Sequence, residues 1–498
     1  MTKEFILSLD QGTSSSRAVI FDRYQQPLGM EQLEFKQYYP TPGWVEHDPE
    51  EIWETQILAA KKLIDKLKIN PEQIAAIGIA NQRETTIVWD KETSRPIYNA
   101  IVWQDRRTAN KCEWLREQNL EEYIKKTTGL VIDSYFSGTK LFWILENIPS
   151  AKKLAQQGRL AFGTVDSWLL WKLTGGKVHA TDPSNASRTM LYNISQLQWD
   201  VKLLDVLQIP KEILPKVLPS SGLFGETTKD IFNNCKIPIT GIAGDQQSAL
   251  FGQKCFEAGE AKNTYGTGCF MLMNTGQNLV NSKSGLLTTI GWQIGDKVVY
   301  ALEGSVFIAG AAVKWLRDGL KIIKQASDTE EIAVSITDNQ GVYVVPAFTG
   351  LGAPYWDMYA RGAILGLTQG VTDRHIVRAT LESLAYQSKD IIGVMEQDSG
   401  IKLKNLKVDG GASANSFIMQ FQSDILNCDV VCPPFPEATA LGAALLAGIE
   451  VGFYHLNDIK IDIPGSKVYK PKMSSSERNQ LYHGWLKAVE RAKNWEKD

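Results

Sequence analysis

Two chemistry-bearing patterns occur once in each half of this 498-residue chain, and the duplication restricts the folds open to it. The first is Asp10-Gln11-Gly12-Thr13-Ser14-Ser15-Ser16-Arg17, held between the apolar runs 5–9 and 18–21; a shorter Gly/Thr loop, Tyr265-Gly266-Thr267-Gly268, recurs later. The second is an apolar strand-like run that ends on an acid. Residues 239–244 lead into Asp245, and residues 406–408 lead into Asp409-Gly410-Gly411. Two related α/β lobes facing each other across a cleft would explain the pairing, although no extended repeat is visible. The boundary is expected near residues 250–260, giving domains of 1–253 and 254–498.

The wider pattern agrees with α/β. Strand candidates at 74–80, 239–245 and 406–409 alternate with helical periodicity near 50–67, from about 246, and near 416–426. Ser474 to Glu477 reads as a capping box opening a last helix, with Leu481, Trp485 and Val489 on one face. Residues 438–448 form the longest small and apolar stretch, too short to span a bilayer, and read as a buried helix. A net charge of −3 offers no general attraction to nucleic acid or to anionic membranes, so any phosphate must be bound by local geometry. Six cysteines without a C-x-x-C pair, and no signal peptide, point to a reduced, cytoplasmic protein.

The chain contains no G-x-x-x-x-G-K-[ST] loop and neither the H-R-D nor the D-F-G tripeptide of protein kinases. If it handles a nucleotide, the candidates are 10–17, 265–268 and 409–415. A Gly/Thr/Ser hairpin can turn N–H groups, hydroxyls and a guanidinium toward a phosphate while its acid holds a divalent metal. It can equally be a plain turn. Asp409 to Asn415 reads either as a ligand-approached glycine loop or as an ordinary strand-to-helix turn capped by Asn415. Asp245, at the carboxyl edge of a sheet strand, can serve as a general base for an alcohol or as a helix N-cap. Arg83-Glu84 is either a solvated ion pair or a donor-and-acceptor pair for neighbouring hydroxyls. Trp103, Tyr135 and Phe270 belong either to the core or to the walls around a carbon chain.

Taken together, these residues resemble the FGGY carbohydrate kinase family, from residue 3 to about 455. Tyr135-Phe136-Ser137-Gly138-Thr139-Lys140-Leu141-Phe142-Trp143-Ile144-Leu145-Glu146-Asn147 looks like its first signature. Gly362-Ala363-Ile364-Leu365-Gly366-Leu367 with His375-Ile376-Val377-Arg378-Ala379-Thr380-Leu381-Glu382 looks like its second. The resemblance implies two RNase H-like domains of the actin/hexokinase/Hsp70-type ATPase fold. Asn81-Gln82-Arg83-Glu84-Thr85 resembles the substrate segment of the members that act on glycerol, and Gly244-Asp245-Gln246-Gln247 fits the same group. The implied reaction is transfer of phosphate from ATP to glycerol, giving sn-glycerol 3-phosphate.

On that resemblance Asp245 is the general base. Arg83, Glu84, Tyr135, Asp245 and Gln246 bind glycerol hydroxyls, and Trp103 and Phe270 pack on its carbons. Thr13, Ser14, Ser15 and Arg17 contact the β/γ-phosphates, and Thr267, Gly310, Gly411 and Asn415 bind the rest of the nucleotide. Asp10, with Asp245 through water, holds Mg²⁺. Glycerol is the expected partner, with no nucleic acid, no membrane insertion, and assembly as a homo-oligomer. Asn234-Cys235-Lys236 departs from the Gly-x-Arg element that binds a regulatory sugar bisphosphate in some relatives. The alternatives held open are a kinase for another polyol or keto-sugar, and a non-catalytic nucleotide-gated binding protein.

Overall fold

A computed structural model describes residues 2–434, 437–459 and 465–497. One sheet of thirteen strands runs through the molecule. In chain order its strands are β1 (Phe5–Gln11), β2 (Ser15–Phe21), β3 (Pro27–Glu34), β4 (Ile74–Asn81), β5 (Ser221–Glu226), β6 (Pro238–Gly244), β7 (Glu260–Tyr265), β8 (Cys269–Gly276), β9 (Leu287–Ile294), β10 (Lys297–Val306), β11 (Asn405–Gly410), β12 (Asp429–Cys432) and β13 (Lys467–Tyr469). Their spatial order is β13-β12-β11-β7-β8-β10-β9-β5-β6-β4-β1-β2-β3.

The duplication expected from the motifs is present as topology. In the N-terminal half, β1, β2 and β3 form an antiparallel meander, and β4 and then β6 add parallel on the far side of β1. In the C-terminal half, β7, β8 and β10 repeat the antiparallel order with β9 interposed in the chain and pairing beyond β10, and β11 and β12 add parallel on the far side of β7. Each Gly/Thr loop is the turn of the first hairpin in its half. The two half-sheets meet where β5 pairs with β9 through Ser221 and Ile294.

The helices that position the site are α1 (Pro49–Leu67), α2 (Ser137–Asn147), α3 (Val165–Leu173), α4 (Asp245–Gly252), α5 (Gly310–Asp318), α6 (Asp373–Ser399), α7 (Ser416–Leu426), α8 (Ala438–Glu450) and α9 (Ser475–Ala492). Local chemistry explains their ends. Asp48 caps α1 by accepting from the Glu50 N–H, with Pro49 in the first turn, and Lys68 closes it at φ 55°. Ser474 caps α9 by accepting from the Glu477 N–H; Trp485 and Val489 are buried and Leu481 partly so. β4, fully buried along its length, reads as an unbroken apolar run because both its faces are covered.

Helix α8 crosses between the halves. It follows β12 in the chain, yet it packs on β1, β4 and β6 and lies along α4. This needs residues without side chains at the contact. A Cβ on Gly78 of β4 would overlap the carbonyl of Ala443, and one on Gly442 would overlap the carbonyl of Ser248 in α4. Hydroxyls reinforce the crossing: Thr240 donates to the Ala447 carbonyl (2.9 Å), Ser221 to that of Leu446 (2.8 Å) and Ser248 to that of Thr439 (2.7 Å). Among the described residues no helix is long and apolar enough to cross a membrane.

Two outcomes are expected from this packing. Gly442→Ala must separate α8 from α4, so it should cost about 1–3 kcal/mol, as overpacking does. A lowered thermal midpoint checks this, and an unchanged one contradicts it. In α3, Asp166 is buried and accepts from the hydroxyls of Thr164 (2.5 Å) and Thr181 (2.6 Å). Burial pushes its carboxyl up to about 7 from the usual 3.8. The folded chain thus keeps a proton that the unfolded chain releases. That stabilisation is complete below the unfolded value and is lost as pH rises through about 7. Between about pH 5 and about pH 8 the wild-type midpoint should therefore fall relative to that of Asp166→Asn; a constant difference contradicts it.

Candidate active site

The residues singled out in the N-terminal half converge at the carboxyl ends of β1, β4 and β6. Asp10 lies near the end of β1 and Arg17 near the start of β2; the register sets them opposite each other, and Arg17 Nη2 reaches Asp10 Oδ2 at 3.0 Å. Gly12, Thr13 and Ser14 form the intervening turn, closed by the Gly12 N–H donating to the Ser15 carbonyl (2.9 Å). Asp10 is buried. Burial raises its carboxyl; Arg17 opposes this, while Asp245 and Glu437 raise it further.

Asp245 is the first residue of α4, not its N-cap; Gly244 holds the cap position. The Asp245 carboxylate is partly exposed, at 31%. It accepts from the Gln246 N–H (2.7 Å) and faces Arg83 Nε at 3.3 Å. Gln246 is itself held from the other half, its Oε1 accepting from Lys262 of β7. Lys262 also donates to Thr264 Oγ1 (3.0 Å), and burial lowers its pKa.

Arg83 and Glu84 follow β4 on a tight loop in which Glu84 takes φ 62°. Both are buried, and their charges are answered by two residues that motif reading did not single out. Glu303 of β10 grips Arg83 with both oxygens, Oε2 from Nη1 at 2.5 Å and Oε1 from Nη2 at 3.2 Å. Arg188 donates to Glu84 (2.6 Å) and to Glu303 (2.9 Å). Arg83 Nη2 also reaches the Tyr135 hydroxyl at 3.4 Å. Burial alone would raise the Glu303 carboxyl, yet Arg188 and Arg83 outweigh it and hold it at about 2. Burial raises Glu84, against the pull of Arg83 and Arg188.

The aromatic residues join the hairpin to this cluster. Trp103 Nε1 donates to Thr13 Oγ1 (3.0 Å), and its ring meets Tyr135 edge-on at 5.6 Å. Lys140 of α2, fully buried, sets the Tyr135 loop by donating to the carbonyls of Ser134 (2.5 Å), Tyr135 (2.6 Å) and Phe136 (3.3 Å). A cleft of ≈ 540 Å³ opens here, and Trp103, Tyr135, Thr267, Phe270 and Glu303 are among its lining residues.

In the C-terminal half, Thr267 sits in the β7–β8 turn, which is stitched to the start of α5. The N–H groups of Ala309 and Ala311 donate to the Thr267 carbonyl (2.8 and 3.1 Å) and that of Gly310 to the Gly266 carbonyl (3.0 Å). A Cβ on Gly310 would stand 2.6 Å from that Gly266 oxygen, so the contact requires glycine. Gly411 follows β11 and faces open space. Asn415 caps α7 by accepting from the Ile418 N–H (3.1 Å) and donates to Thr329 (3.2 Å). Lys262, Arg188 and Glu303 carry no motif. Of these, Glu303 offers a signal, the one charge in the otherwise uncharged run 298–306.

Two lobes of one plan, each with a hairpin loop at a shared cleft, define the actin/hexokinase-like ATPase fold. The profile of the FGGY family of carbohydrate kinases matches over both halves, its N-terminal domain at residues 5–252 and its C-terminal domain at 261–451. The chain belongs to this family. It is 60% identical over 497 residues to the glycerol kinase of Alkaliphilus oremlandii, covering 100% of this chain and 99% of that protein. It is also 60% identical over 495 residues to glycerol kinase 2 of Thermotoga maritima, covering 99% and 100%. The crystal structure of Plasmodium falciparum glycerol kinase with ADP superposes with a TM-score of 0.94 at 39% identity, covering 99% of this chain and 98% of that one. A xylulose kinase from Lactobacillus acidophilus, at 22% identity and a TM-score of 0.87, shares the fold.

Proposed function

We infer that this chain transfers the γ-phosphoryl group of ATP to a terminal hydroxyl of glycerol, giving ADP and sn-glycerol 3-phosphate, the entry step of glycerol catabolism. Full-length identity to glycerol kinases supports the substrate. The observation that carries the chemistry is the partly exposed Asp245 carboxylate, set beside Arg83 and next to the Asp10–Arg17 pair.

Each group has a role that its chemistry suits. Asp245 accepts the proton of the attacking hydroxyl, whose oxygen bonds to the γ-phosphorus as the bond to ADP breaks. Arg83 and Glu84 supply donors and acceptors for the other hydroxyls, with Tyr135 and Gln246 beside them. Trp103 and Phe270 wall the carbon chain. Thr13, Ser14, Ser15 and Arg17 hold the β/γ-phosphates; Thr267, Gly310, Gly411 and Asn415 hold the rest of the nucleotide.

A divalent cation fits this arrangement. Asp245 and Glu437 both disfavour the charged form of buried Asp10, and a cation relieves that crowding. Among the described residues no group of three or more His, Cys, Asp or Glu is placed to hold a metal unaided. Asp10, with Asp245 through water, would therefore share Mg²⁺ with the phosphates. When bound, Mg²⁺ neutralises phosphate charge. The six free cysteines suit a reducing cytoplasm.

An ADP-release assay across glycerol, dihydroxyacetone, erythritol and xylulose tests the reading. The highest kcat/KM is expected for glycerol; a higher value for xylulose overturns the substrate. In the same assay Asp245→Asn should lower kcat by ~10²–10⁴-fold, and near wild-type turnover would remove Asp245 from the base role.

A further inference from the structure

The side chain of Arg83 has a partner on every edge, the shortest contact being to Glu303 and the longer ones to Tyr135 and Asp245. Its Nη1 donates to Glu303 (2.5 Å) and Gln247 (3.2 Å), its Nη2 to Glu303 (3.2 Å) and Tyr135 (3.4 Å), and its Nε faces Asp245 at 3.3 Å. Of these contacts, only Glu303 takes both terminal nitrogens with two carboxylate oxygens, so it sets the plane of the guanidinium. Glu303 also comes from the other half of the chain, 220 residues away. Its carboxylate is buried at the cleft wall, where Arg188 supplies a second cation and passes the tie on to Glu84. Lys262 makes a parallel connection, reaching from β7 to Gln246. The polar side chains flanking Asp245 in the N-terminal half are thus gripped from the C-terminal half.

We propose that Glu303 is a positioning residue: it orients Arg83 to receive the alcohol, and so makes alcohol capture depend on how the two halves are seated. The inference rests on the substrate reading above. It accounts for why a buried acid, whose hydrogen bonds and ion pairs among the described residues go to Arg83 and Arg188, forms part of the cleft wall. An amide at this position would offer one acceptor and turn one donor against a guanidinium, so the neutral isostere breaks the two-pronged grip.

The test uses the full-length chain with Glu303→Gln and Glu303→Asp, each alone and on an Arg83→Ala background. KM and kcat are measured for glycerol and for ATP, with thermal midpoints alongside. Loss of a charge-assisted bond at the guanidinium should raise the glycerol KM about tenfold or more in Glu303→Gln while the ATP KM moves less than about threefold. Glu303→Asp should fall between wild type and Glu303→Gln. Because the effect runs through Arg83, adding Glu303→Gln to Arg83→Ala should raise the glycerol KM no further.

An unchanged glycerol KM, equal rises for both substrates, or a full additional rise on the Arg83→Ala background would each overturn the proposal. So would failure of both single variants to fold, which would make Glu303 a stability residue only. If wild type releases ADP with another polyol but not with glycerol, the substrate reading fails. The same variants then test Glu303 through the KM for that polyol.

Discussion

Four charged side chains buried where the two halves of the chain meet cannot be separated one at a time. Arg83, Glu84, Arg188 and Glu303 carry two positive and two negative charges, and every contact among them depends on the others. Removing one partner from such a set leaves an uncompensated charge in a dry site, which costs far more than the pair itself contributes. The cluster is therefore weak evidence for stability. Three of its members sit in the N-terminal half and one in the C-terminal half. The sheet continuity between β5 and β9 rests on a single residue pair, so the ionic contact constrains the relative placement of the halves where the sheet does so least.

A second constraint acts behind the sheet. Helix α8 reaches across and lies against α4 and β4 closely enough that side chains at Gly78 and Gly442 are excluded. That contact combines close backbone approach and apolar packing with hydroxyl-to-carbonyl hydrogen bonds, and among the described residues it uses no ion pair. One face of the molecule is thus held by close packing and the cleft face by ion pairs. Movement that opens the cleft would have to stretch the Arg83–Glu303 contact while α8 stays seated on α4. Close-packed interiors resist gradual deformation, so such movement would pivot about the α4–α8 contact and spare it.

The parts of this design legible in the sequence are those written in short stretches. The hairpin turns at 12–14 and 266–268, the strands ending near Asp245 and Asp409, and the Asn415 and Ser474 caps each need only neighbouring residues, and each is present. The two-lobed plan followed from finding those pieces twice. Asp245 as an N-cap is the local alternative that the structure removes, since Gly244 takes that position. What could not be read are contacts between residues far apart in the chain. Arg188 sits in a loop of small polar residues with nothing to mark it, and α8 reads as a buried helix without disclosing that it is buried against the other half. Glu303 was closest to legible, because an acid in a buried strand requires a cation somewhere.

The separation between readable and unreadable residues follows function. On the proposed reading phosphate is held by backbone groups and hydroxyls of tight turns, which are local structures and leave motifs. A small polyol offers only hydroxyls and a short carbon chain, so selecting it takes side chains brought to one point from several elements and fixed there. Arg83 comes from the end of β4, Tyr135 from the loop that Lys140 holds, Phe270 from β8 and the Glu303 brace from β10. Taken alone, Arg83, Tyr135 and Phe270 each have an ordinary structural reading as good as the functional one, and Glu303 carries no motif at all. Relatives that share the fold at 22% identity or below include kinases of other substrates, so the plan of two hairpins facing a cleft does not choose the alcohol. On the proposed reading that choice falls to a guanidinium gripped from the opposite half, and selectivity then becomes a property of the assembled cleft instead of either lobe.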